Sequence, residues 1–319
     1  MHFLAEQKRR SNLSLQDFHF LISEEYENER LDKSLSELTD DTVSRSYLQK
    51  LIKDNQVFVN QKIQKASYRL KDGDIVSFTI PDQTQPDIVA EEMALDILYE
   101  DSDVIIVNKP KGMVVHPAAG HFSHTLVNGL MYHCKDSLSG INGVLRPGIV
   151  HRIDKDTTGS IIACKNDNAH LKIAAQLKEH SITRKYRAIC FGVLKEDAGT
   201  IDAPIGRDEK ERKKMAVNQK NGKHAVTHYK VLERFGQYTY IECQLETGRT
   251  HQIRVHMASI GHPLLGDEVY SSRKQPFSTQ GQVLHAYILG FLHPVTDQYI
   301  ETLAPIPDYF EKILGKLRK

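Results

Sequence analysis

The segment His151-Arg152-Ile153-Asp154-Lys155-Asp156-Thr157-Thr158-Gly159 is the stretch whose residue types point most directly to chemistry. Asp154 follows a His-Arg pair, the segment ends in a turn-forming Thr-Thr-Gly, and a carboxylate there could serve as nucleophile or base if a fixed cation kept it charged. A charged loop between two strands is also often merely solvated, so the segment alone leaves both readings open. Two later segments offer possible company. Ile182-Thr183-Arg184-Lys185-Tyr186-Arg187-Ala188 presents Tyr186, whose phenol, with an ordinary pKa of about 10, suits stacking better than base catalysis. Gly248-Arg249-Thr250-His251-Gln252-Ile253-Arg254-Val255-His256 presents two arginines, which are used more often at surfaces or on phosphates than in buried catalytic pairs. His116, His151, His251 and His256 lack a zinc-ligand spacing, so no metal site is expected.

The elements around these segments can be read from periodicity. Gly148-Ile149-Val150 and Ser160-Ile161-Ile162-Ala163-Cys164 read as short buried strands, which puts the Asp154 segment on the loop between them. Residues 168–180 place Leu171, Ala174, Ala175 and Leu177 on one helical face. Strands are expected over 186–193, 226–232 and 238–245, and over 95–100 and 104–108 as a hairpin around Asp101-Ser102-Asp103. A helix over 250–260 stops at Gly261 and Pro263, and an amphipathic helix over 309–317 closes the chain. Strands in excess, without regular βα alternation, predict an α+β domain with a mixed, largely antiparallel sheet.

Ahead of it, 30–35 and 44–53 read as two short helices, followed by strands over 57–61 and 75–78 with a tight Asp72-Gly73-Asp74 turn. Residues 1–26 form an extension with no firm structure. The expected organisation is a small α+β domain over 27–80, a proline-containing linker over 81–93, and a large domain over 94–319. A hydrophobic fraction of 40% suffices for packed cores in both. No apolar run approaches the roughly 18 residues of a membrane span, and the start lacks a signal-peptide core, so a cytoplasmic protein without membrane association is expected. Cys134, Cys164, Cys190 and Cys243 are widely spaced, as suits reduced buried thiols. Formal charge is only +1, so binding a polyanion would require local basic patches. The densest is Gly206 to Met215, with Lys213 and Lys214, and it reads as a solvated hairpin or as a clamp on RNA.

Taken together, the three ordered segments resemble the RluA/RluD family of RNA pseudouridine synthases. Glu100 to Pro117, with its E-D-x-x-V-I-I-V-N-K-P-x-G-M-V-V-H-P pattern, adds to the resemblance, which runs over residues 27–319. The early R-L-D-K, S-R-S, V-x-V-N and D-G-D patterns resemble the S4 RNA-binding module. The resemblance implies that Asp154 is the catalytic aspartate, Arg254 its partner with Arg249 the competing choice, and Tyr186 the ring that stacks on the target base. It assigns Arg152 to the place vacated by a flipped nucleotide, His151 to supporting the loop beside the RNA, and Arg45, Lys50 and Lys53 to the RNA backbone. The implied reaction needs no cofactor and no protein partner, which suits a monomer. The S4 module and the Pro117-to-His121 segment favour large-subunit (23S) rRNA as substrate. Alternative readings are tRNA as substrate, an RNA-binding ribosome-assembly factor with dispensable or lost catalysis, and a hydrolase using Asp154.

Overall fold

The computed structural model describes residues 15–39, 45–81, 88–117, 121–135, 137–141, 146–211 and 214–319. Two compact units divide the chain, residues 1–85 and 86–319. The first unit contains β1 (Leu15–Leu21), α1 (Leu31–Leu38), α2 (Arg45–Lys53), β2 (Val57–Val59), β3 (Lys62–Ile63) and β4 (Ile75–Pro81). Its antiparallel sheet has the order β1-β4-β2-β3. Leu31 and Leu35 of α1, and Leu48, Leu51 and Ile52 of α2, recur at helical spacing and are buried with Val57, Val59, Val76 and Phe78. Asp74 makes the expected Asp-Gly-Asp turn stiff, accepting from Tyr68 Oη, Lys71 N–H and Asn60 Nδ2 at 3.1, 3.0 and 2.7 Å. β1 falls where the sequence promised nothing firm. It is stabilised by a partner about sixty residues later, with Phe18 stacked 4.9 Å from Phe78, and local composition does not reveal such pairing.

The second unit opens with the hairpin β5 (Ile97–Glu100) and β6 (Val104–Lys109), then α3 (Leu126–Cys134), β7 (Thr158–Cys164), α4 (Asp167–Lys178) and β8 (Thr183–Phe191). β9 (Ala198–Asp202), a small hairpin of β10 (Ile205–Arg207) and β11 (Met215–Val217), β12 (Val226–Arg234) and β13 (Tyr238–Leu245) follow. α5 (Gln252–Ser259), β14 (Leu284–Leu292), β15 (Tyr299–Leu303) and α6 (Asp308–Leu317) complete it. One sheet runs β5-β6-β7-β14-β8-β13-β12-β9, with β15 on the distal half of β14. Only β7 and β14 pair in parallel, so the sheet is mixed and largely antiparallel.

Both faces of this sheet are covered. In β6 the period of two sends Ile105 and Val107 into the core beneath α3 and α5, and Val104 and Ile106 into the core beneath α4. In β8 it sends Tyr186, Ala188 and Cys190 toward the α5 side, and Ile189 and Phe191 toward α6. The four cysteines are all buried and free. No helix among the described residues is long and apolar enough to cross a membrane.

Two local expectations need correction. Gly148-Ile149-Val150 is not a strand: Ile149 makes one isolated bridge to Ala163, on the edge of β7 opposite the one that β6 occupies. Gly159 does not make a turn either. It lies within β7 at φ +106°, where a Cβ would come 2.2 Å from the Ala286 carbonyl oxygen, so glycine is what lets β7 and β14 approach.

Candidate active site

The loop that carries Asp154 into β7 is fixed at several residues. His151 Nε2 accepts the Ile162 N–H of β7 at 3.2 Å, and Thr157 N–H donates to the Asp154 carbonyl at 3.1 Å. Lys109, at the end of β6, is fully buried and donates its three ammonium protons to the carbonyls of Pro110, Met113 and Lys155 at 2.8–2.9 Å. Burial pushes its pKa down to about 7 against the attraction of Asp156 and Asp154, but three carbonyl acceptors call for the ammonium form. A strand-exit cation is thus a structural tie rather than an RNA contact. His151 ends in the opposite charge state: burial, with Arg184 adding to it, lowers its pKa to about 3 and keeps the ring neutral as an acceptor.

Arg254 of α5 meets the carboxylate directly, its Nη1 donating to Asp154 Oδ2 at 2.9 Å. The rest of the guanidinium is gripped by Asp267, which accepts from Nε at 2.7 Å and from Nη2 at 3.0 Å in a bidentate pair. The Asp267 side chain is 0% exposed and Arg254 7%, whereas Asp154 keeps 23% of its side chain open to the cleft. Burial opposes the charge on Arg254, but the two carboxylates outweigh it and raise the guanidinium pKa above its ordinary value. Asp267 in turn is fixed by the N–H groups of Val269 and Tyr270 at 3.0 and 3.1 Å. The result is a preorganised cation held on one oxygen of Asp154, with the other oxygen facing open space.

That space is a cleft of about 1220 Å³ lined by Asp154, Tyr186, Arg152, His151, Arg249 and Arg254 among others, so the structure brings the three sequence segments together. Its lining includes seven lysines and arginines, adding Arg146, Lys155, Lys178 and Arg184, against the single carboxylate of Asp154. A chain of formal charge +1 therefore carries a strongly cationic cleft. Tyr186 stands in its wall, and burial raises its phenol pKa, with Asp154 adding and Arg184 opposing. Arg152 is exposed at the rim. Arg249 is tied differently from Arg254: its Nε donates to the His224 carbonyl at 2.9 Å.

Lys50 and Lys53 are exposed on α2 of the first unit; the side chain of Arg45, like Lys213 and residues 118–120 of the Pro117-to-His121 segment, lies outside the described residues. Lys214 pairs with Glu211 at 2.9 Å, which offsets its charge. Three site residues escaped the sequence reading. Asp267 and Tyr270 follow an apolar Pro-Leu-Leu-Gly run that looks like a core segment. Arg184 sits two residues before Tyr186, is 7% exposed, donates to the Glu246 carbonyl at 2.9 Å and leaves its Nε without a partner among the described residues. The strand alternation that places Tyr186 in the cleft also places Arg184 there, and was the available signal. Asp101, Asp103 and His293 also lie close enough to hold a cation. Their atoms are already engaged, with Asp101 accepting from Tyr99 and His293 and Asp103 from Asn166, and they fasten the β5–β6 turn.

Residues 103–259 match the model of the RNA pseudouridylate synthase family, and residues 29–76 match the S4 domain. A protein of Bacillus subtilis (strain 168) named as an uncharacterized RNA pseudouridine synthase is 56% identical over 93% of this chain and 97% of its own length. The ribosomal large subunit pseudouridine synthase D of Zymomonas mobilis is 45% identical over 93% of this chain and 96% of its own. Among solved structures, human RNA pseudouridylate synthase domain containing 4 superposes with a TM-score of 0.55 at 26% identity, covering 70% of this chain and 92% of that one.

Proposed function

The chain belongs to the RNA pseudouridine synthases, and on that premise we propose that it isomerises specific uridines of large-subunit (23S) ribosomal RNA, with Asp154 as catalytic residue. The observation that carries the reading is the Asp267–Arg254–Asp154 arrangement at the floor of a cation-lined cleft. The choice of RNA rests on the relatives named for the large ribosomal subunit, 39–45% identical over nine-tenths of this chain. In this reading the protein works in the cytoplasm as a monomer.

The chemistry needs little machinery. The N1–C1′ bond breaks, the detached uracil turns, C5 bonds to C1′, the C5 proton leaves and N1 gains one. Arg254 holds Oδ2 of Asp154, so Oδ1 is the oxygen free to act at the sugar, as nucleophile at C1′ or as base on a sugar proton. Tyr186 supplies the ring on which the base stacks while it is detached. The target must leave its helix, at a cost of a few kcal/mol, and Arg152 at the rim is placed to occupy the vacated position. Arg146, Lys155, Lys178 and Arg249 then meet the backbone phosphates, as do Arg45, Lys50 and Lys53 of the S4 domain and Lys213 and Lys214 of the hairpin. His151 keeps the loop in place as a neutral acceptor beside the RNA.

Unmodified large-subunit rRNA, precursor particles and tRNA, each incubated with the protein and mapped at nucleotide resolution, test the substrate. Pseudouridine at discrete large-subunit positions is expected; product confined to tRNA, or binding without product, would overturn it.

A further inference from the structure

We propose that Tyr270 is a positioning residue for this reaction: its hydroxyl fixes one tautomer of His251 and so aims an N–H at the unheld oxygen of Asp154. The proposal rests on the isomerase reading above and concerns two side chains that reading leaves idle. His251 caps α5 in a left-handed conformation, φ +57°, which is costly for a residue with a Cβ and is sustained only where the surroundings impose it. That conformation turns the imidazole into the cleft, where Nε2 lies 3.8 Å from Asp154 Oδ1, the oxygen that Arg254 does not hold.

The other ring nitrogen, Nδ1, is 2.7 Å from the Tyr270 hydroxyl. That hydroxyl also accepts the main-chain N–H of Met215 at 3.1 Å. With one acceptor site used by Met215, the hydroxyl proton is best placed on Nδ1, which leaves the imidazole proton on Nε2 facing Asp154. The opposite tautomer would make the hydroxyl accept twice and leave its own proton without an acceptor among the described residues. The Tyr270 ring also lies 5.0 Å from the Arg254 guanidinium, so one side chain braces both groups that face the carboxylate.

Met215 opens β11, directly after the basic loop of the small hairpin, and its side chain packs with Val217 and Tyr270 against Val255 of α5. One hydroxyl therefore joins the hairpin to the imidazole that faces the Asp154 carboxylate. At 3.8 Å the imidazole stops short of a hydrogen bond, and closure on RNA would shorten that gap, as catalytic contacts often do on forming the complex.

Long-range proton–nitrogen NMR of the full-length protein without RNA reads the tautomer of His251 independently of the substrate. The wild type should show His251 protonated on Nε2, and Y270F should show a mixture. A proton on Nδ1 in the wild type, or an unchanged spectrum in Y270F, would overturn the proposal. Single-turnover isomerisation of large-subunit rRNA is the second readout, using Y270F, H251N (asparagine tolerates the left-handed backbone) and the double variant. Each single change should slow the step at least about tenfold with RNA affinity within about twofold, and the double should be no slower than H251N. Losses that multiply in the double, or that appear only in RNA affinity, would contradict action through His251. Failure of the wild type to modify the rRNA would instead count against the substrate reading, with the tautomer result standing apart from it.

Discussion

At the scale of residues, the site depends on one arginine shared by two carboxylates. Asp267 takes two of its donors in full burial and Asp154 takes a third at the cleft. Removing the arginine leaves Asp267 as an uncompensated buried charge, so Arg254→Met should cost about 3–5 kcal/mol of stability along with activity. Adding Asp267→Asn removes that charge while keeping the acceptor for Val269 and Tyr270 N–H, and should recover much of the stability and none of the isomerisation. Denaturant unfolding of the single and double variants checks this. Equal destabilisation of both would mean that the buried charge is not what the arginine compensates.

At the scale of elements, the loop that carries Asp154 is anchored by a histidine that must stay neutral. Burial depresses the folded-state pKa of His151 from 6.5 to about 3, so the stability it contributes is complete above pH 6.5 and is lost as pH falls toward 3. His285, which bonds Thr158 at 2.8 Å just beyond the loop, is depressed to about 4 by burial and acts in the same direction. Unfolding free energy measured in steps from pH 7 to pH 4 should therefore fall. His151→Gln, which can still accept the Ile162 N–H, should show a shallower slope below pH 6 by up to about 1.4 kcal/mol per pH unit. Parallel slopes would remove His151 from the account. The loop itself was legible in the sequence through its residue types, and α4, α5, α6 and β13 through their periodicity to within a few residues. What was not legible depends on distant partners. β1 is a strand because of β4, Gly159 is a glycine because of Ala286, and Asp267 matters because α5 turns Arg254 toward it. Tyr186 and Arg254 were found by motif, since neither a lone strand tyrosine nor a helical arginine announces its neighbours.

At the scale of the whole molecule, near-neutral total charge hides a segregated one. The cleft collects seven cations around one carboxylate, and α2 exposes Lys50 and Lys53 on the S4 domain. RNA binding should therefore weaken steeply with salt. Lys50→Ala and Lys53→Ala should each lower the slope of log affinity against log salt by about 1, with the single-turnover rate at saturating RNA unchanged. An unchanged slope would take α2 out of the interface. All of this serves the claim that the open oxygen of Asp154 performs the isomerisation, and Asp154→Asn tests it most directly, because the amide keeps the shape and removes the charge. The measurement is RNA affinity and single-turnover pseudouridine formation on unmodified large-subunit rRNA, wild type beside variant. Affinity within about twofold and a rate at least about a thousandfold lower are expected; product formed by the variant within tenfold of the wild-type rate would contradict the account.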